Sequence, residues 1–558
     1  MINFIRIITL LLSILTIVNQ NSYKYIPVIS KDAIAVEVKE DNNINEKETV
    51  DYQLEENNLD LLEEEQESWA PILPVTLSTN LLEYSLQSNN TKVNEIQANT
   101  NQVFPEDYTN IEGVTTFRGN NLRTTPSYGI SNIQNEKLKK LWEFITSTST
   151  WGGGAGWTGQ PVIVRWSPEA REIMNIKEEF INKEGFTEVI YGSLGGNIYF
   201  FDLETGKESR NPIYIKNPIK GSLSIDPREY PLLYVGDGIN ESGKFGYRIF
   251  SLIDGKELYF IKGQDAFAYR GWGAFDSSSI VNSNTDTLIL GGENGLFYNI
   301  KLNTDFDKEN KKITINPEII KYRYKIKGNQ HQGIENSIAT YKNLAFFADN
   351  GGSIQSIDLT NMKPIWALEK SDDIDATITI EIEDEIPYIY TGTEVDKQGT
   401  KGNAIIRKIN GLTGEVIWLK NYECLSILGE RPTNGGTLAT NVVGKNDLDN
   451  IVIFTLARYK KINSGLMIAL DKKTGDEIWR WEMPHYAWSS PVDFYNSEGK
   501  GYIIQCDSIG NMHLLDGTTG IILDKTNLGA NIESSPAIFE DFVVIASRGG
   551  KIFGVKIE

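Results

Sequence analysis

Cysteine and histidine are scarce in this sequence. Its 558 residues include two Cys, Cys424 and Cys506, and three His. Zinc modules and iron–sulfur sites need several such ligands at fixed spacing, and disulfide-stapled folds need many cysteines. These classes are therefore excluded. The histidines, His331, His485 and His513, are too scattered along the chain to indicate a metal-binding set.

An excess of basic residues is also lacking. The chain has 54 Lys+Arg against 75 Asp+Glu, a net charge of −21. Proteins that bind DNA or RNA need clustered Lys and Arg to neutralise phosphate, so no nucleic-acid partner is expected. The sequence also contains neither a Gly-x-Ser-x-Gly element nor a Walker loop, so it does not indicate serine-hydrolase or P-loop chemistry.

Only one segment is continuously hydrophobic. It runs from residue 7 to residue 18, directly after Arg6. This length is typical of a signal-peptide core and is short for a membrane span, and no small-x-small cleavage pattern follows it. We therefore predict that residues 1–22 are a signal peptide or an N-terminal membrane anchor, with both alternatives open. The rest of the chain is expected outside the cytoplasm, secreted or anchored to the cell membrane.

The next segment is acidic and rich in Asn. Residues 31–70 contain 14 Asp/Glu and 3 Lys, a net charge of 3 − 14 = −11. No sustained hydrophobic periodicity is present, which is typical of a solvated, disordered chain. We predict a disordered tether over residues 23–106, acting as a spacer or, alternatively, as an acidic interaction tail.

Internal repeats dominate the remaining chain. Each repeat places a strand, a turn such as Asp-x-x-Thr-Gly and a second strand in sequence, as in GNIYFFDLETGKE (196–208) and GLMIALDKKTGDEIWRW (465–481). Eight copies are present, the last as a half-copy at 550–558, and their anchor residues lie 45 to 61 residues apart. Repeats of this length with alternating apolar residues predict four-stranded propeller blades. The predicted fold is therefore all-β: an eight-bladed β-propeller of four-stranded antiparallel blades over residues 107–558.

A second series of eight short segments alternates with these repeats. Small residues followed by Pro or a β-branched residue, as in KGSLSID (220–226) and ESSPAIF (533–539), suit the crowded innermost strand of each blade. The last blade lacks its outer strand, and LKKLWEFITS (138–147) has the matching pattern. We expect this N-terminal strand to complete the last blade and close the ring, which removes exposed sheet edges. The Trp residues of the outer strands are expected to pack blade against blade.

The repeat pattern Gly-x-(Ile/Val)-x-x-(Leu/Phe)-Asp-x-x-Thr-Gly-x-x-x-Trp resembles the pyrroloquinoline-quinone-type propeller repeat. The stretches GVTTFRGNNLRTTPSYG (113–129), WTGQPVIVRW (157–166) and DLETGKESRNPI (202–213) are similar to an exported Gram-positive branch of that superfamily. The resemblance covers about residues 107–558. It implies the propeller fold but not one function, because the same repeat serves quinone dehydrogenases and an outer-membrane assembly scaffold.

The resemblance also implies what a quinone enzyme would need. Its relatives stack the quinone between a Trp and a ring formed by two adjacent Cys, and hold Ca²⁺ with Glu, Asn and Asp beside a catalytic Asp. Here the two cysteines, Cys424 and Cys506, lie 82 residues apart. We therefore expect no quinone cofactor, and no motif in the chain supports a Ca²⁺ site.

Loops that lead into the inner strands line one face of a propeller at its axis, here termed the mouth. One residue per blade at this position gives four carboxylates around one Lys, beside aromatic loops. The predicted ligand-binding residues are Asp276, Glu335, Asp375, Glu533, Lys220, Trp157, Trp272 and Trp488. Such a funnel suits a cation or a polar ligand, whereas the alternative is that these residues bond neighbouring blades.

The predicted function is a non-catalytic binding or scaffold module at the cell envelope. Its expected partner is an envelope protein or a cell-wall glycan or peptide, and the propeller is expected to be monomeric. The alternative is a carbohydrate-active or quinone-dependent enzyme on the same fold. Glycosidases place two carboxyl groups about 5–10 Å apart, a distance that Asp276 and Glu335 on consecutive blades were expected to meet.

Overall fold

The computed structural model describes residue 72 and residues 82–156, 159–430 and 432–558. These residues belong to one compact unit, Glu67–Glu558. The predicted signal segment 1–22 and most of the predicted tether up to residue 81 lie outside the described residues. Among the helices that are described, none is long and apolar enough to cross a membrane.

Eight small antiparallel sheets form the blades of a propeller, as the repeats predict. From the inner edge outward, blade 1 contains Val162–Arg165, Glu188–Gly192, Asn197–Asp202 and Ile213–Tyr214. Blade 2 contains Ser224–Ile225, Leu232–Gly236, Gly246–Ser251 and Glu257–Lys262. Blade 3 contains Ile280–Asn282, Thr287–Gly291, Leu296–Lys301 and Glu318–Ile326. Blade 4 contains Ala339–Tyr341, Leu344–Ala348, Ile354–Asp358 and Lys363–Ala367.

The remaining four blades follow in chain order. Blade 5 contains Thr379–Glu383, Ile386–Gly392, Lys401–Asn410 and Val416–Leu425. Blade 6 contains Val442–Val443, Ile451–Ala457, Gly465–Asp471 and Glu477–Met483. Blade 7 contains Val492–Tyr495, Gly501–Cys506, Asn511–Asp516 and Ile522–Asn527. Blade 8 contains Ala537–Phe539, Phe542–Ser547, Lys551–Ile557 and the upstream strand Leu138–Ile145.

Short elements decorate this frame. The additional strands are Leu82–Ser88, Thr91–Val93, Glu112–Val114, Ser127–Tyr128, Asp305–Asp307, Lys312–Thr314, Glu394–Val395 and Gly435–Gly436. The described helices are the α-helices Pro168–Ile173 and Glu178–Ile181 and the 3₁₀-helix Asn446–Leu448. Ser167 caps the first helix by accepting a hydrogen bond from the Ala170 N–H, and Pro168 at its first turn needs no partner for a missing donor.

Burial follows the position of a strand within its blade. The second strand of blade 4, Leu344–Ala348, is buried at every residue, because neighbouring blades cover both of its faces. The outer strand Leu138–Ile145 alternates between half-buried and exposed residues over most of its length, because one face meets solvent. Cys424 in blade 5 and Cys506 in blade 7 are both buried free thiols.

The first strand of the ring closes the last blade. Leu138–Ile145 pairs antiparallel with Lys551–Ile557, and Trp142 lies opposite Gly554. The chain ends are therefore joined by a full ladder of backbone hydrogen bonds. This confirms the predicted closure of blade 8.

Outer-strand tryptophans interlock neighbouring blades through glycine. The Trp142 ring lies against Gly206, where an added Cβ would stand 2.5 Å from the ring, and its Nε1–H donates to the Leu203 carbonyl at 2.8 Å. The same arrangement recurs at Trp366 with Gly414, Trp418 with Gly475 and Trp479 with Gly520. These glycines have positive φ, as the turn pattern predicts. The tryptophans therefore pack blade against blade.

The prediction of a disordered tether is wrong for residues 82–106. Leu82–Ser88 pairs along its whole length with the outer strand of blade 3, and Thr91–Val93 folds back on it. Leu82 and Leu86 are buried, and the Asn89–Asn90 turn has positive φ at both residues, as a tight hairpin requires. The sparse apolar residues of this segment suffice because a preformed sheet edge supplies the remaining contacts.

Candidate functional site

The segment 112–128 closes the propeller axis at one end. Its backbone accepts hydrogen bonds from Ile225 of blade 2, Ile380 of blade 5 and Ile538 of blade 8. Glu112–Val114 pairs with the inner strand of blade 1. The segment thus binds blades that lie all around the ring.

Two buried arginines complete this floor. Arg118 donates to the carbonyls of Asn441 in the loop before blade 6 and Pro491 before blade 7. Arg123 donates to the carbonyls of Ile338 and Ser278, at the inner strands of blades 4 and 3. Both side chains are 0% exposed. The FRGNNLRTT stretch therefore has a structural role: it joins the blades at the axis.

A belt of hydroxyl groups lies along the inner strands. In each case a backbone N–H of one blade donates to the Ser or Thr hydroxyl of the next, at 2.8 to 3.3 Å. The donor–acceptor pairs are Gln160–Ser222, Ser278–Ser337, Ser337–Thr377, Thr377–Thr440, Thr440–Ser490 and Ser490–Ser535. The small residues of the inner-strand segments are therefore explained by blade-to-blade bonding.

Carboxyl groups gather at the other end of the inner strands, in blades 3 to 5. We term them the acid cluster: Asp276, Glu293, Glu335, Asp373, Asp375 and Glu394. An oxygen from each of Asp276, Glu293 and Glu335 lies within 4.8 Å of the other two. Asn350 donates to Glu335 at 2.9 Å and lies 3.3 Å from Asp375 Oδ1. Three predicted mouth carboxylates are thus brought together.

Three basic side chains adjoin the acid cluster. Lys220 forms an ion pair with Asp276, Lys397 lies 3.5 Å from Asp373, and Arg270 donates to Asn350 at 2.7 Å. Six carboxyl groups therefore face three cations. The surplus of acid distinguishes this side of the mouth.

Burial makes these carboxyl groups hard to ionise. It is the largest cause that raises the pKa of Asp276 to about 6 and that of Glu394 to about 8. Burial and repulsion from neighbouring carboxylates hold the pKa values of Glu293, Asp373 and Asp375 well above their usual range. The cluster thus retains protons that a bound cation would displace.

The other predicted site residues lie apart from the acid cluster or at its edge. Glu533 accepts a hydrogen bond from Asn531 at 2.8 Å and lies 3.6 Å from Arg548, so its charge is matched within blade 8. Trp272 donates its Nε1–H to Glu293 at 2.7 Å. Trp488 is half-buried and packs near Tyr486. Trp157 lies outside the described residues.

The sequence analysis missed half of the acid cluster. Glu293, Asn350 and Glu394 each lie two residues after the end of the second strand of their blades. Because the strands are antiparallel, this turn and the start of the inner strand lie at the same end of a blade. The repeat itself therefore contained a second ring of mouth positions, which an alignment on the turn after the second strand would have identified.

The fold is shared with solved propellers. A quinohemoprotein alcohol dehydrogenase, ADHIIG from Pseudomonas putida HK5, matches with a TM-score of 0.54 at 11% identity, covering 80% of each chain. BamB from Moraxella catarrhalis matches with a TM-score of 0.47 at 13% identity, covering 75% of this chain and all of BamB. No protein-family model and no curated protein sequence matches this chain. The likeness to the dehydrogenase supports the quinoprotein-type propeller fold and, at this identity, the fold alone.

Proposed function

We propose that this protein is a non-catalytic binding module of the cell envelope whose mouth takes a cationic group of its ligand. The observation that carries the proposal is the acid cluster, with six carboxyl groups and three adjoining cations. The envelope location follows from the hydrophobic segment at residues 7–18, which suits export or anchoring.

Unsatisfied oxygens indicate what the ligand supplies. Glu293 and Glu394 are 2% and 1% exposed, and the Oε1 atom of each accepts no hydrogen bond from the residues that the structure describes. A buried acceptor without a donor is costly, by about 1–3 kcal/mol. An ammonium group brings three N–H donors and a positive charge, and so offsets both the missing hydrogen bonds and the repulsion.

The floor supports a binding role. Because the segment 112–128 bonds to inner strands around the ring, with Arg118 and Arg123 fully buried, the axis is filled on that side. A ligand that enters the mouth meets the hydroxyl belt and the floor. The mouth is thus a closed-ended site, suited to capture.

Calorimetry with 1,5-diaminopentane and 1,5-pentanediol tests the proposal, because these probes share a carbon chain and differ in charge. We expect heat of binding from the diamine and none from the diol. The double variant Glu335→Gln/Asp375→Asn should lose the diamine signal. Glu533→Gln is the matched control, since that mouth carboxylate is already paired with Arg548, and it should bind as the parent does. Equal heats in the parent and the double variant would refute the proposal.

The two alternatives make different predictions. A protein-assembly scaffold would use blade rims and side loops, so changes to the acid cluster would leave capture of its partner intact. A glycosidase would turn over chromogenic glycosides, and activity would disappear in Glu335→Gln. Cell-wall fragments can be assayed against the same variants, which separates binding from turnover.

A further inference from the structure

We infer that the ligand is a short zwitterionic peptide, with its ammonium group in the acid cluster and its carboxylate on a lysine-lined groove beside it. This inference rests on the proposed function and adds the second half of the ligand. The observation that carries it is a separation of charge across two adjoining parts of the same face.

The groove has a volume of about 640 Å³ and follows the outer strand of blade 3. Lys325 and Lys327 line it and are exposed, and the Lys370 side chain lies beside Gly328 at its edge. None of these three lysines forms an ion pair with another residue in the part of the chain that the structure describes. One acidic residue, Glu83, lines the same groove. Its net charge is therefore positive.

An aromatic ring forms one wall of the groove. Tyr269 is 46% exposed, while Arg323 lies 4.2 Å and Lys325 4.4 Å from its ring centre. Arg323 also lies 4.3 Å from the Phe267 ring, and its side chain donates to the Phe267 carbonyl. These cation–π contacts hold the ring in place. The ring offers a fixed apolar surface to a ligand side chain.

Two loops connect the groove to the acid cluster. The loop 268–273 carries Tyr269 in the groove and Trp272, which is bonded to Glu293. In the loop 327–335, Gly333 packs so closely on Arg270 that an added Cβ would stand 1.8 Å from its Nη1 atom. Gln332 of that loop lines the groove, and Glu335 belongs to the acid cluster. A single ligand can therefore contact both parts.

Charge complementarity selects the class of ligand. A neutral glycan matches neither the acid cluster nor the lysines, and a polyamine matches only the acid cluster. A short peptide with free ends carries one ammonium and one carboxylate group, and a side chain that can lie on Tyr269. Complementary potentials of this kind give specificity for orientation as well as for partner.

A chemical double-mutant cycle tests the inference. Trialanine is titrated in four forms: with free ends, N-acetylated, C-amidated and blocked at both ends. In the parent protein we expect acetylation to weaken binding at least about tenfold, because it removes the charge that enters a buried site. Amidation should weaken binding about two- to fivefold, the range for an exposed ion pair.

The variants assign each penalty to its side of the site. Lys325→Gln/Lys327→Gln should remove the penalty for amidation and keep that for acetylation, and Glu335→Gln should do the reverse. Lys312→Gln/Lys473→Gln is the matched control, because it removes two exposed lysines outside the groove, and it should keep both penalties. Melting temperatures of all variants check that each is folded.

The outcomes separate the inference from the proposed function. If amidation costs nothing in the parent, or costs as much in Lys325→Gln/Lys327→Gln, the inference is wrong. If 1,5-diaminopentane binds and no trialanine form does, the inference fails and the cationic site stands. If neither binds, both fail.

Discussion

The Trp418 ring lies against Gly475, so closely that an added Cβ would stand 2.8 Å from Trp418 Cδ2. The indole N–H donates to the carbonyl of Lys472 in the same turn at 3.0 Å. One outer strand of blade 5 is therefore locked to the turn of blade 6 by a shape match and a hydrogen bond. The repetition of this contact in three further blade pairs makes it a general device for fixing the ring.

Gly475→Ala is expected to destabilise the propeller by about 2–4 kcal/mol, because overpacking against the ring adds to the cost of a positive φ of +71°. Gly499→Ala is the control. It has a φ of +80°, but its Cβ would stand 3.5 Å from the nearest atom, so only the backbone cost applies. Urea denaturation measures both, and equal losses would show that the contact with Trp418 contributes nothing.

Arg118→Met is expected to lower the free energy of unfolding by about 2–5 kcal/mol. The change leaves the carbonyls of Asn441 and Pro491 without their donors in a fully buried site. Arg165→Met removes an exposed arginine that pairs with Glu112 and should cost less than about 1 kcal/mol. Similar losses in the two variants would contradict the role of Arg118 at the axis.

The repeats were enough to predict the fold. Eight anchors at regular spacing specified eight blades, and the half-copy at 550–558 left a strand to be supplied by 138–147. These predictions succeed because each repeat forms a local hairpin, and a closed ring is the arrangement that leaves no edge. The strand Leu82–Ser88 was missed because its stability comes from the blade 3 edge that it joins, which lies more than 200 residues away.

The candidate site was only partly predictable. Asp276, Glu335 and Asp375 were placed correctly because one position per repeat leads into each inner strand. Glu533 occupies an equivalent position, but Arg548 neutralises it. Which carboxylates remain unbalanced depends on side chains from other strands, and a pattern along one chain does not contain those distances.

Stability should fall with rising pH through the ionisation of Glu394. Burial, with help from neighbouring Glu335 and Asp396, raises its pKa from 4.5 to about 8 in the folded protein, whereas Asn434 and Asp375 hydrogen bonds act the other way. The folded state therefore holds this proton more tightly than the unfolded chain. Its contribution to stability is present below about pH 4.5 and is lost as the pH rises toward 8.

Glu394→Gln should remove this dependence. The variant is expected to be more stable than the parent above the folded-state pKa and close to it below the unfolded-state pKa, as measured by urea denaturation across the pH range. Glu415→Gln, which changes an exposed carboxyl on the outer turn of blade 5, should follow the parent. Parallel curves for the parent and Glu394→Gln would show that burial does not hold the proton.

Gly333→Ala should weaken binding of 1,5-diaminopentane severalfold while changing stability little. Its Cβ would stand 1.8 Å from Arg270 Nη1 and 2.0 Å from Asn350 Oδ1, so both side-chain ends must move. Asn350 would then no longer hold Glu335, and the acid cluster would lose its arrangement. Because flexible side-chain ends yield at low cost, the fold should tolerate the change.

Gly271→Ala is the matched control for that experiment, since nothing lies within 4 Å of its added Cβ on the neighbouring loop. Calorimetry should show parent-like binding for Gly271→Ala and reduced binding for Gly333→Ala, with similar melting temperatures for all three proteins. Parent-like binding by Gly333→Ala would mean that the position of Asn350 does not matter to the ligand. In that case the cation would have to be held by Asp276, Glu293 and Glu335 without help from the amide.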